Sequence, residues 1–387
     1  MSREKSFNLL DFGSSKIRFS VFDLDLKEKF SDKRLINFDN DYSNHFKELI
    51  NIIKKAEKKI SFHIKDIVLL LDTSELFIID ISFYKKFEKK SQISKIYNSL
   101  ILELTQIINL NYSNQSIIHI TTSKYIVDGK SQDEILNHKM LINNLKVDFK
   151  VICFPKNLIT KLKSQFVKNN INVSNIFCTS YVKALNYQKK LNEKIVSFLD
   201  IGWERSSFIV FEKNKLKFAK SIPIGGSHIT KDISKVFKIS LYDAENIKKS
   251  FNKSETEFSY EMNSDDSVIS IKNIIDKKIS TNLLKKVILY RVQEIIDLIF
   301  KKLNTNLYIN IIKNSELFLI GEGSNLFNNN TFYLSDKFQF KSIKFYNETD
   351  DQICKSGLVH FLNNNQTPKI ITKKQGLFEK FFNYFEK

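Results

Sequence analysis

A short pattern that occurs twice constrains the fold of this chain more than any other feature. Each copy is an aspartate followed two residues later by a glycine, placed between two apolar runs of β-strand character, and the copies begin at Asp11 and Asp200. An acid at the end of a buried strand, followed by a tight glycine turn, suits a site for phosphate and its metal ion. The glycine lets backbone N–H groups approach the phosphate, and the carboxylate holds Mg²⁺ directly or through water. The repeat predicts two similar halves.

The second copy lies within a longer series of strand and turn signals. After its glycine an alternating run reaches a polar turn at Lys213-Asn214, and a third run ends at Ile222. The pair Gly225-Gly226 comes next, and residues 229–250 have helical character. The series predicts three strands in hairpin succession, a glycine turn, and one continuous helix.

A third glycine turn, Gly321–Ser324, follows the apolar run Leu317–Ile320. Together with the two hairpins it forms a pattern that resembles FtsA, the actin-like bacterial cell-division protein, over nearly the whole chain. Each motif is weak by itself, but their order and spacing are specific together. The resemblance implies an α/β chain with an actin-like (ribonuclease H-like) two-domain ATPase fold and an inserted small α+β subdomain. The motifs are Asp11–Lys16, Asp200–Gly202, Ile222–Ile233, Arg291–Glu294, Gly321–Leu326 and Gly376–Phe378.

The resemblance and the periodicity of the apolar residues imply a division of the chain. A strand at Leu76–Ile81 is expected in the first half, and the next segment carries a helix and strands, among them Ser116–Thr121 and Lys124–Val127, with a turn at Asp128-Gly129. FtsA has a subdomain for polymer contacts here, and a plain structural insertion is the alternative. The implied units are 1–81 with 154–190 (first half), 82–153 (inserted subdomain), 191–228 with 305–362 (second half), 229–304 (nucleotide-capping and partner subdomain), 363–374 (polar linker) and 375–387 (amphipathic helix).

By the same resemblance, ATP with Mg²⁺ is expected between the halves. Asp11 and Asp200 would lie near the metal ion, directly or through water, and Ser14 and Ser15 near the phosphates. The alternative for the glycines is that each simply makes a tight strand turn. The implied nucleotide-binding residues are Asp11, Gly13, Ser14, Ser15, Lys16, Asp200, Gly202, Gly225, Gly226, Glu294, Gly321, Gly323 and Ser324.

The second hairpin departs from the FtsA pattern, in which further glycines and a threonine follow the first glycine. Here Trp203, Glu204 and Arg205 follow, and Ser207 stands at the acidic position. Side chains thus replace bare backbone where phosphate should approach, and Glu204 adds a like charge. We therefore expect weak ATP binding and at most slow hydrolysis. Pairing of Arg205 with phosphate is one compensation, and packing between the halves is the alternative role for Trp203.

The last twelve residues have the spacing of a short amphipathic helix. Apolar residues recur at i, i+1, i+4, i+5 and i+8, which places them on one stripe. Such a helix is too short to span a bilayer and would lie in its interface, where nearby lysines attract anionic lipid. Packing of the helix onto the protein's own core is the alternative. The membrane-binding set is Leu377, Phe378, Phe381, Phe382, Phe385, Lys373, Lys374 and Lys380.

Charge and composition exclude several other functions. The formal net charge is +18, but only five of the 61 basic residues are arginine, the residue that base readers favour. We therefore expect attraction to anionic lipid and no nucleic-acid partner. No run of 18 apolar residues occurs, and three scattered cysteines lack disulfide or metal spacing.

The function implied by the resemblance is that of an actin-like cell-division protein. It would bind ATP, polymerise on the cytoplasmic side of the bacterial inner membrane as a peripheral protein, and tether FtsZ there during septum assembly. Its expected partners are the C-terminal peptide of FtsZ, further copies of itself, the anionic membrane surface and other divisome proteins. The alternatives are another actin-like membrane-associated scaffold, similar to MreB or PilM, or an ATPase or sugar kinase of the same superfold.

Overall fold

The computed structural model describes residues 6–36, 42–132, 140–191, 193–253, 268–270, 278–301, 311–327 and 340–366. In chain order the strands and helices are β1 (Phe7–Phe12), β2 (Lys16–Phe22), β3 (Glu28–Leu35), α1 (Tyr42–Ile60), β4 (Asp66–Leu71), β5 (Phe77–Gln92), α2 (Ile93–Asn111), β6 (Gln115–Val127), β7 (Lys130–Gln132), β8 (Leu141–Pro155), α3 (Lys156–Lys168), β9 (Asn172–Cys178), α4 (Thr179–Gln188), β10 (Ile195–Ile201), β11 (Ser206–Glu212), β12 (Lys215–Ile222), α5 (Gly226–Phe237), α6 (Leu241–Lys253), β13 (Val268–Ser270), β14 (Lys278–Ser280), α7 (Thr281–Phe300), β15 (Glu316–Ile320), β16 (Ser342–Phe345) and α8 (Asp350–Gln366).

Two five-stranded sheets with the same topology form the body of the molecule. Their strand orders are β3-β2-β1-β4-β9 and β12-β11-β10-β15-β16. In each sheet, the strand that carries the aspartate pairs antiparallel with the next strand of its hairpin and parallel with a strand from much later in the chain. These central strands are almost entirely buried, because helices or the other half cover both faces. The two similar halves predicted from the sequence are therefore present.

A separate four-stranded sheet, in the order β5-β8-β6-β7, is inserted into the first half. It packs with α2 around its own apolar core, which includes Leu104, Val147 and Phe149. The strand expected at Leu76–Ile81 in the first sheet is instead the beginning of β5, because it pairs with β8. The two strands expected in residues 116–127 are one strand, β6, with irregularities in its pairing to β8.

The two-residue turns that the sequence indicated are present with the expected backbone geometry. Lys213 and Asn214 have φ of 49° and 63°, and Asp128 and Gly129 have φ of 46° and 81°. Positive φ at both central residues is the signature of the type I′ turn, whose twist matches that of the flanking hairpin strands. These turns fix the registers of the β11–β12 and β6–β7 hairpins.

The helix expected over residues 229–250 is two helices, α5 and α6. The chain leaves α5 at Lys238, which has a left-handed φ of 52°. Ser240 then caps α6: its Oγ accepts a hydrogen bond from Asp243 N at 3.0 Å and donates one to Asp243 Oδ2 at 2.6 Å. This Ser-x-x-Asp pattern is a helix start signal that the periodicity of the apolar residues concealed.

The final helix, α8, departs from the predicted division of the chain. It follows β16 of the second sheet, but Cys354 and Leu358 pack in the core of the first half. The close approach of α8 to the first sheet requires a glycine at this point, because a Cβ at Gly357 would lie 2.8 Å from side-chain carbons of Leu9 and Leu70. The helix runs to Gln366, so the polar linker does not begin at Asn363 as expected.

The segment predicted to bind the membrane lies outside the described residues. This applies to Lys373, Lys374, Leu377, Phe378, Lys380, Phe381, Phe382 and Phe385. Within the described ranges, none of the helices combines the length and the apolar character needed to cross a bilayer.

Candidate functional site

A cavity of about 460 Å³ lies between the two halves, where the turns after β1 and β10 meet. Its volume is within the range of about 300–1,000 Å³ that is typical of small-molecule sites. Of the residues predicted to bind nucleotide, ten line it: Asp11, Gly13, Ser14, Ser15, Lys16, Asp200, Gly202, Gly226, Gly321 and Gly323.

Three predicted residues do not line this cavity. Gly225 lies directly behind the second hairpin turn, and Ser324 Oγ donates to the carbonyl oxygen of Gly321 at 2.7 Å, which stabilises the third glycine turn. Glu294 lies on α7, where its carboxylate pairs with Arg291, whose guanidinium also pairs with Asp232. The structure therefore brings the glycine turns together at the cavity but not Glu294.

Gly225 and Gly321 are required as glycines because neighbouring atoms lie too close to leave room for a Cβ. A Cβ at Gly225 would lie 2.5 Å from the carbonyl oxygen of Gly202 and 2.7 Å from Arg205 N. Gly226 N donates to that same Gly202 oxygen at 2.9 Å, so the glycine pair holds the second hairpin turn in place. Gly321 has a φ of +81°, and a Cβ there would lie 2.5 Å from Asp200 Oδ1. A larger residue at either position would push the cavity wall inward.

The aspartate of the first hairpin is buried and paired. Asp11 Oδ2 lies 2.8 Å from Arg18 Nη1, and Asp11 Oδ1 accepts a longer hydrogen bond, 3.4 Å, from Thr179 Oγ1. Burial raises the pKa of Asp11, and the positive charges of Arg18 and Lys183 only partly oppose this. Because Arg18 stands directly opposite Asp11 in the hairpin register, this pair forms within one hairpin.

The aspartate of the second hairpin takes its cation from a helix. Lys183 Nζ, on α4, lies 3.0 Å from Asp200 Oδ2 and 3.0 Å from Glu348 Oε1. Tyr187, one turn further along α4, donates to Glu348 Oε1 at 2.6 Å. Burial lowers the pKa of Lys183, but the charges of Asp200 and Glu348 outweigh it and hold the net pKa above the usual range. Lys183 is therefore an ammonium ion at neutral pH.

A third carboxylate, Asp72, follows β4 and reaches the same cavity. It pairs with the guanidinium of Arg205 across the two halves. Ser180 N and Ser180 Oγ also donate to it, at 3.0 Å and 3.1 Å. Arg205 Nε is buried and has no hydrogen-bond partner within the described residues. A buried donor without a partner is costly, so a ligand oxygen at this point would gain a strong hydrogen bond.

The side chains that depart from the FtsA pattern lie differently from what we expected. The Trp203 ring lies beneath Lys248 Nζ, 4.8 Å away, so it packs against α6, and it lines the wall of the cavity. Glu204 is exposed and lines an adjoining cavity of about 540 Å³ together with Lys161. The expected like-charge repulsion between Glu204 and a phosphate in the cleft is therefore not supported by its position.

Lys248 is held by a buried hydrogen-bond network on the side of the cavity formed by α5 and α6. Its Nζ donates to the carbonyl oxygen of Gly226 at 3.0 Å and to Thr230 Oγ1 at 2.8 Å, and it lies 2.5 Å from Glu245 Oε2. Burial lowers the pKa of Lys248, although Glu245 opposes this. The network joins α5 to α6 and fixes the end of α5 that faces the cavity.

At the mouth of the cavity, Lys16 Nζ pairs with Glu322 and lies 3.3 Å from Asp350 Oδ1. Arg18 Nε also contacts Asp350 Oδ1, at 2.6 Å. The Glu322 side chain is 65% exposed, so its bond to Lys16 is an open one that solvent or a ligand can displace. The Lys16 side chain is itself only 10% exposed, so an incoming anion reaches it by displacing Glu322.

The fit of the implied ligands differs between nucleotide and metal ion. The cavity volume and the close glycine turns fit a ligand with anionic oxygens, as does Arg205 Nε, which has no partner in the described part of the chain. The two aspartates predicted to lie near Mg²⁺ do not fit it, because Arg18 and Lys183 stand within 3.0 Å of their oxygens. Among the described residues no group of three or more acidic, histidine or cysteine side chains is arranged to hold a metal ion.

Several residues of this site escaped the sequence analysis. Asp72 had a usable signal, because it follows the buried strand β4 just as the two predicted aspartates lie at the ends of theirs. Arg18 could have been found from its position opposite Asp11 in a hairpin. No sequence pattern marks Lys183 and Glu348 as site residues, since their position depends on how α4 packs against the second sheet.

Comparisons with known proteins agree with this architecture. A family model described as "Cell division protein FtsA" matches residues 197–360, which include the second hairpin, the third glycine turn and most of α8. The FtsA of Bacillus subtilis (strain 168) is 24% identical over 275 residues, which cover 67% of this chain and 59% of that protein. The aligned part of the chain therefore spans less than two thirds of this relative.

Solved structures share the fold at low sequence identity. The PilM–PilN type IV pilus biogenesis complex matches with a TM-score of 0.59 and 12% identity, over 92% of this chain and 95% of the other. MreB5 of Spiroplasma citri bound to ADP matches with a TM-score of 0.54 and 13% identity, over 94% and 99%. The actin-like fold predicted from the paired hairpins is thus confirmed. The family match, the curated relative and the fold agree with the motifs, and the chain is similar to FtsA among actin-like proteins.

Proposed function

We propose that this protein is an actin-like cell-division scaffold that binds ATP in the cleft, polymerises on the cytoplasmic side of the inner membrane, and tethers FtsZ there during septum assembly. The observation that carries the proposal is the FtsA match over residues 197–360, a range that contributes more than half of the residues that line the cavity. Sequence likeness, and not the fold, separates FtsA from PilM and MreB here, since both of these share only 12–13% identity with the chain.

ATP binding is supported by the position of the cavity between two glycine-bounded hairpins. When bound, ATP would supply the phosphates, and Lys16, Arg205 and the backbone at Gly202 and Gly321 would hold and orient them. A carboxylate that activates water for hydrolysis must be free to accept its proton. Because Asp11, Asp72 and Asp200 are each paired with a basic side chain, we expect at most slow hydrolysis.

Partner binding is inferred from the similarity to FtsA. The subdomain of residues 229–304 would bind the C-terminal peptide of FtsZ, and the inserted subdomain would make contacts along the filament. Other divisome proteins would join the assembly. The net charge of +18 favours association with an anionic membrane surface, and the residues from Lys373 to Phe385 would supply the anchor. A single short anchor binds weakly, so a filament that presents many anchors would gain avidity.

The test combines membrane and FtsZ binding. Full-length protein, a chain that ends at Lys374 and the variant Phe381→Glu are sedimented with anionic vesicles, with and without FtsZ. Of these three, only the wild-type full-length protein should pellet and carry FtsZ with it. Leu110→Glu is the matched control, because Leu110 is an apolar residue of α2 that is 82% exposed and lies outside the tail. Equal pelleting of all four proteins, or failure of the bound protein to carry FtsZ, would contradict the proposed tethering.

A further inference from the structure

The charge of the cavity is balanced by the protein itself. Six acidic and six basic side chains line it, so their formal charges cancel. The three carboxylates at its base, Asp11, Asp72 and Asp200, each contact one cation, with side chains that are no more than 9% exposed. A site that relies on a divalent cation keeps carboxylates free for coordination at about 2.0–2.1 Å. Here one oxygen of each carboxylate already accepts a charge-assisted hydrogen bond.

Lys183 has the position and the partners of a resident cation. Its Nζ lies 3.0 Å from Asp200 Oδ2 and within 3.1 Å of both oxygens of Glu348, and the side chain is 6% exposed. Bringing Mg²⁺ to Asp200 would place two positive charges side by side or force Lys183 out of a buried position. Either change is unfavourable, because removing one partner from a buried pair leaves an uncompensated charge.

Each hairpin provides one basic side chain that can receive an anionic ligand. Arg205 pairs with Asp72 through Nη2, while its buried Nε lacks a partner within the described residues. Lys16 is paired with Glu322, whose carboxylate is 65% exposed and can turn into solvent when a ligand arrives. Both residues line the cavity, Lys16 from the first half and Arg205 from the second. Guanidinium and ammonium groups placed in this way are suited to phosphate oxygens.

We infer that the cleft binds the polyphosphate chain of a nucleotide without a divalent cation. Lys183 supplies the positive charge beside Asp200 and Glu348, and Lys16 and Arg205 receive the phosphate oxygens. This inference rests on the ATP binding that forms part of the proposed function, and it specifies the chemistry of that same site.

The test measures ATP affinity of the full-length protein by calorimetry, in excess MgCl₂ and in excess EDTA. We expect the two dissociation constants to agree within about threefold, a difference well under 1.4 kcal/mol. Tripolyphosphate should displace ATP in EDTA, because the contacts are to phosphate oxygens. Binding that requires Mg²⁺, or that is at least about tenfold tighter with it, would overturn the inference while leaving the scaffold function intact. Absence of binding in both buffers would overturn the inference and the ATP-binding part of the function, whereas vesicle and FtsZ binding would be unaffected.

Variants test the two roles separately. Lys183→Met should weaken ATP binding in EDTA by at least about tenfold and recover it in MgCl₂, because Asp200 and Glu348 are then free to coordinate the metal ion. Arg205→Lys keeps the charge but removes Nε, so it should weaken binding similarly in both buffers, and it serves if Lys183→Met does not fold. Lys344→Met is the control, since Lys344 lies on β16, pairs with Glu316 and is outside the cavity. Unchanged affinity of Lys183→Met and Arg205→Lys in EDTA would exclude the assigned roles.

Discussion

The two hairpins at the base of the cleft have the same backbone design but neutralise their aspartates in different ways. In both, the aspartate is the penultimate residue of a central strand, the glycine follows two residues later, and the opposing residue lies seven positions on. That opposing residue is Arg18 in the first hairpin and Ser207 in the second. Asp200 therefore takes its cation from Lys183, on a helix outside the hairpin. Two hairpins with the same backbone geometry can therefore pair their buried aspartates with basic side chains from different parts of the chain.

The largest expected effect is at the second hairpin, where the cation is shared. Lys183→Met leaves Asp200 and Glu348 without their buried partner, so the free energy of unfolding should fall by roughly 3–5 kcal/mol. Denaturation by urea measures it. Lys341→Met removes an equal charge from an exposed pair with Glu193, whose side chains are 54% and 36% exposed, and should cost less than about 1 kcal/mol. Equal losses in the two variants would mean that the buried network contributes no more than a surface pair.

The equivalent register position in the two hairpins gives the next contrast. Arg18→Met removes the cation beside buried Asp11 and should cost roughly 3 kcal/mol. Ser207→Ala removes only a hydrogen bond of 3.2 Å to Ser221 Oγ and should cost about 1 kcal/mol. Urea denaturation of both variants makes the comparison. If Ser207→Ala were as destabilising as Arg18→Met, packing at this register position would matter more than the charge.

Glycine substitutions compare how tightly the two turns are enclosed. A Cβ at Gly225 meets three backbone atoms closer than 3.0 Å, whereas one at Gly13 meets only the Lys16 carbonyl oxygen, at 2.7 Å. Gly225→Ala should cost about 1–3 kcal/mol, and Gly13→Ala less than that. Gly226→Ala is the adjacent control, because the nearest atom, at 3.4 Å, is the end of the flexible Lys248 side chain. Thermal unfolding should rank the three variants in this order, and the reverse order would contradict the enclosure of the second turn.

The smallest expected effect is a pH dependence at the first hairpin. Burial raises the pKa of Asp350, but hydrogen bonds from Lys33 and Arg18 outweigh it and hold the pKa well below the usual range. A depressed pKa in the folded state contributes stability that is fully present above the unfolded value, about 4, and is lost as pH falls through the folded value. Wild-type protein should therefore lose stability below about pH 4, by up to about 1 kcal/mol from this group.

The neighbouring acid provides the control for this pH dependence. Asp350→Asn should flatten the acid limb of the plot of stability against pH. Asp351→Asn should flatten it less, because the hydrogen bond and charge of Lys355 also lower the pKa of Asp351 but its side chain is 43% exposed. The free energy of unfolding of both variants, measured by circular dichroism at a series of acidic pH values, distinguishes their effects. An acid limb that is steeper in Asp350→Asn than in wild type would contradict the assigned sign.

Features that depend on neighbouring residues were predictable from the sequence. The two aspartate–glycine hairpins, the turns at Lys213-Asn214 and Asp128-Gly129, and the glycine turn at Gly321 lie where the sequence placed them. The physical reason is that turn geometry and strand alternation depend on the conformational preferences of a few adjacent residues. Even so, the break between α5 and α6 was missed, because a local cap at Ser240 competed with a longer apolar periodicity.

Contacts between distant parts of the chain were decided by the tertiary structure. Arg205 and Asp72 are 133 residues apart, and Lys183 and Glu348 are 165 apart. Their pairing depends on how the two sheets and α4 pack, and burial then makes each charge require a partner. The start of the inserted sheet at Phe77 and the packing of α8 on the first half have the same origin. The sequence by itself determined where the two hairpins lie, while only the folded chain determined which basic side chain neutralises each aspartate.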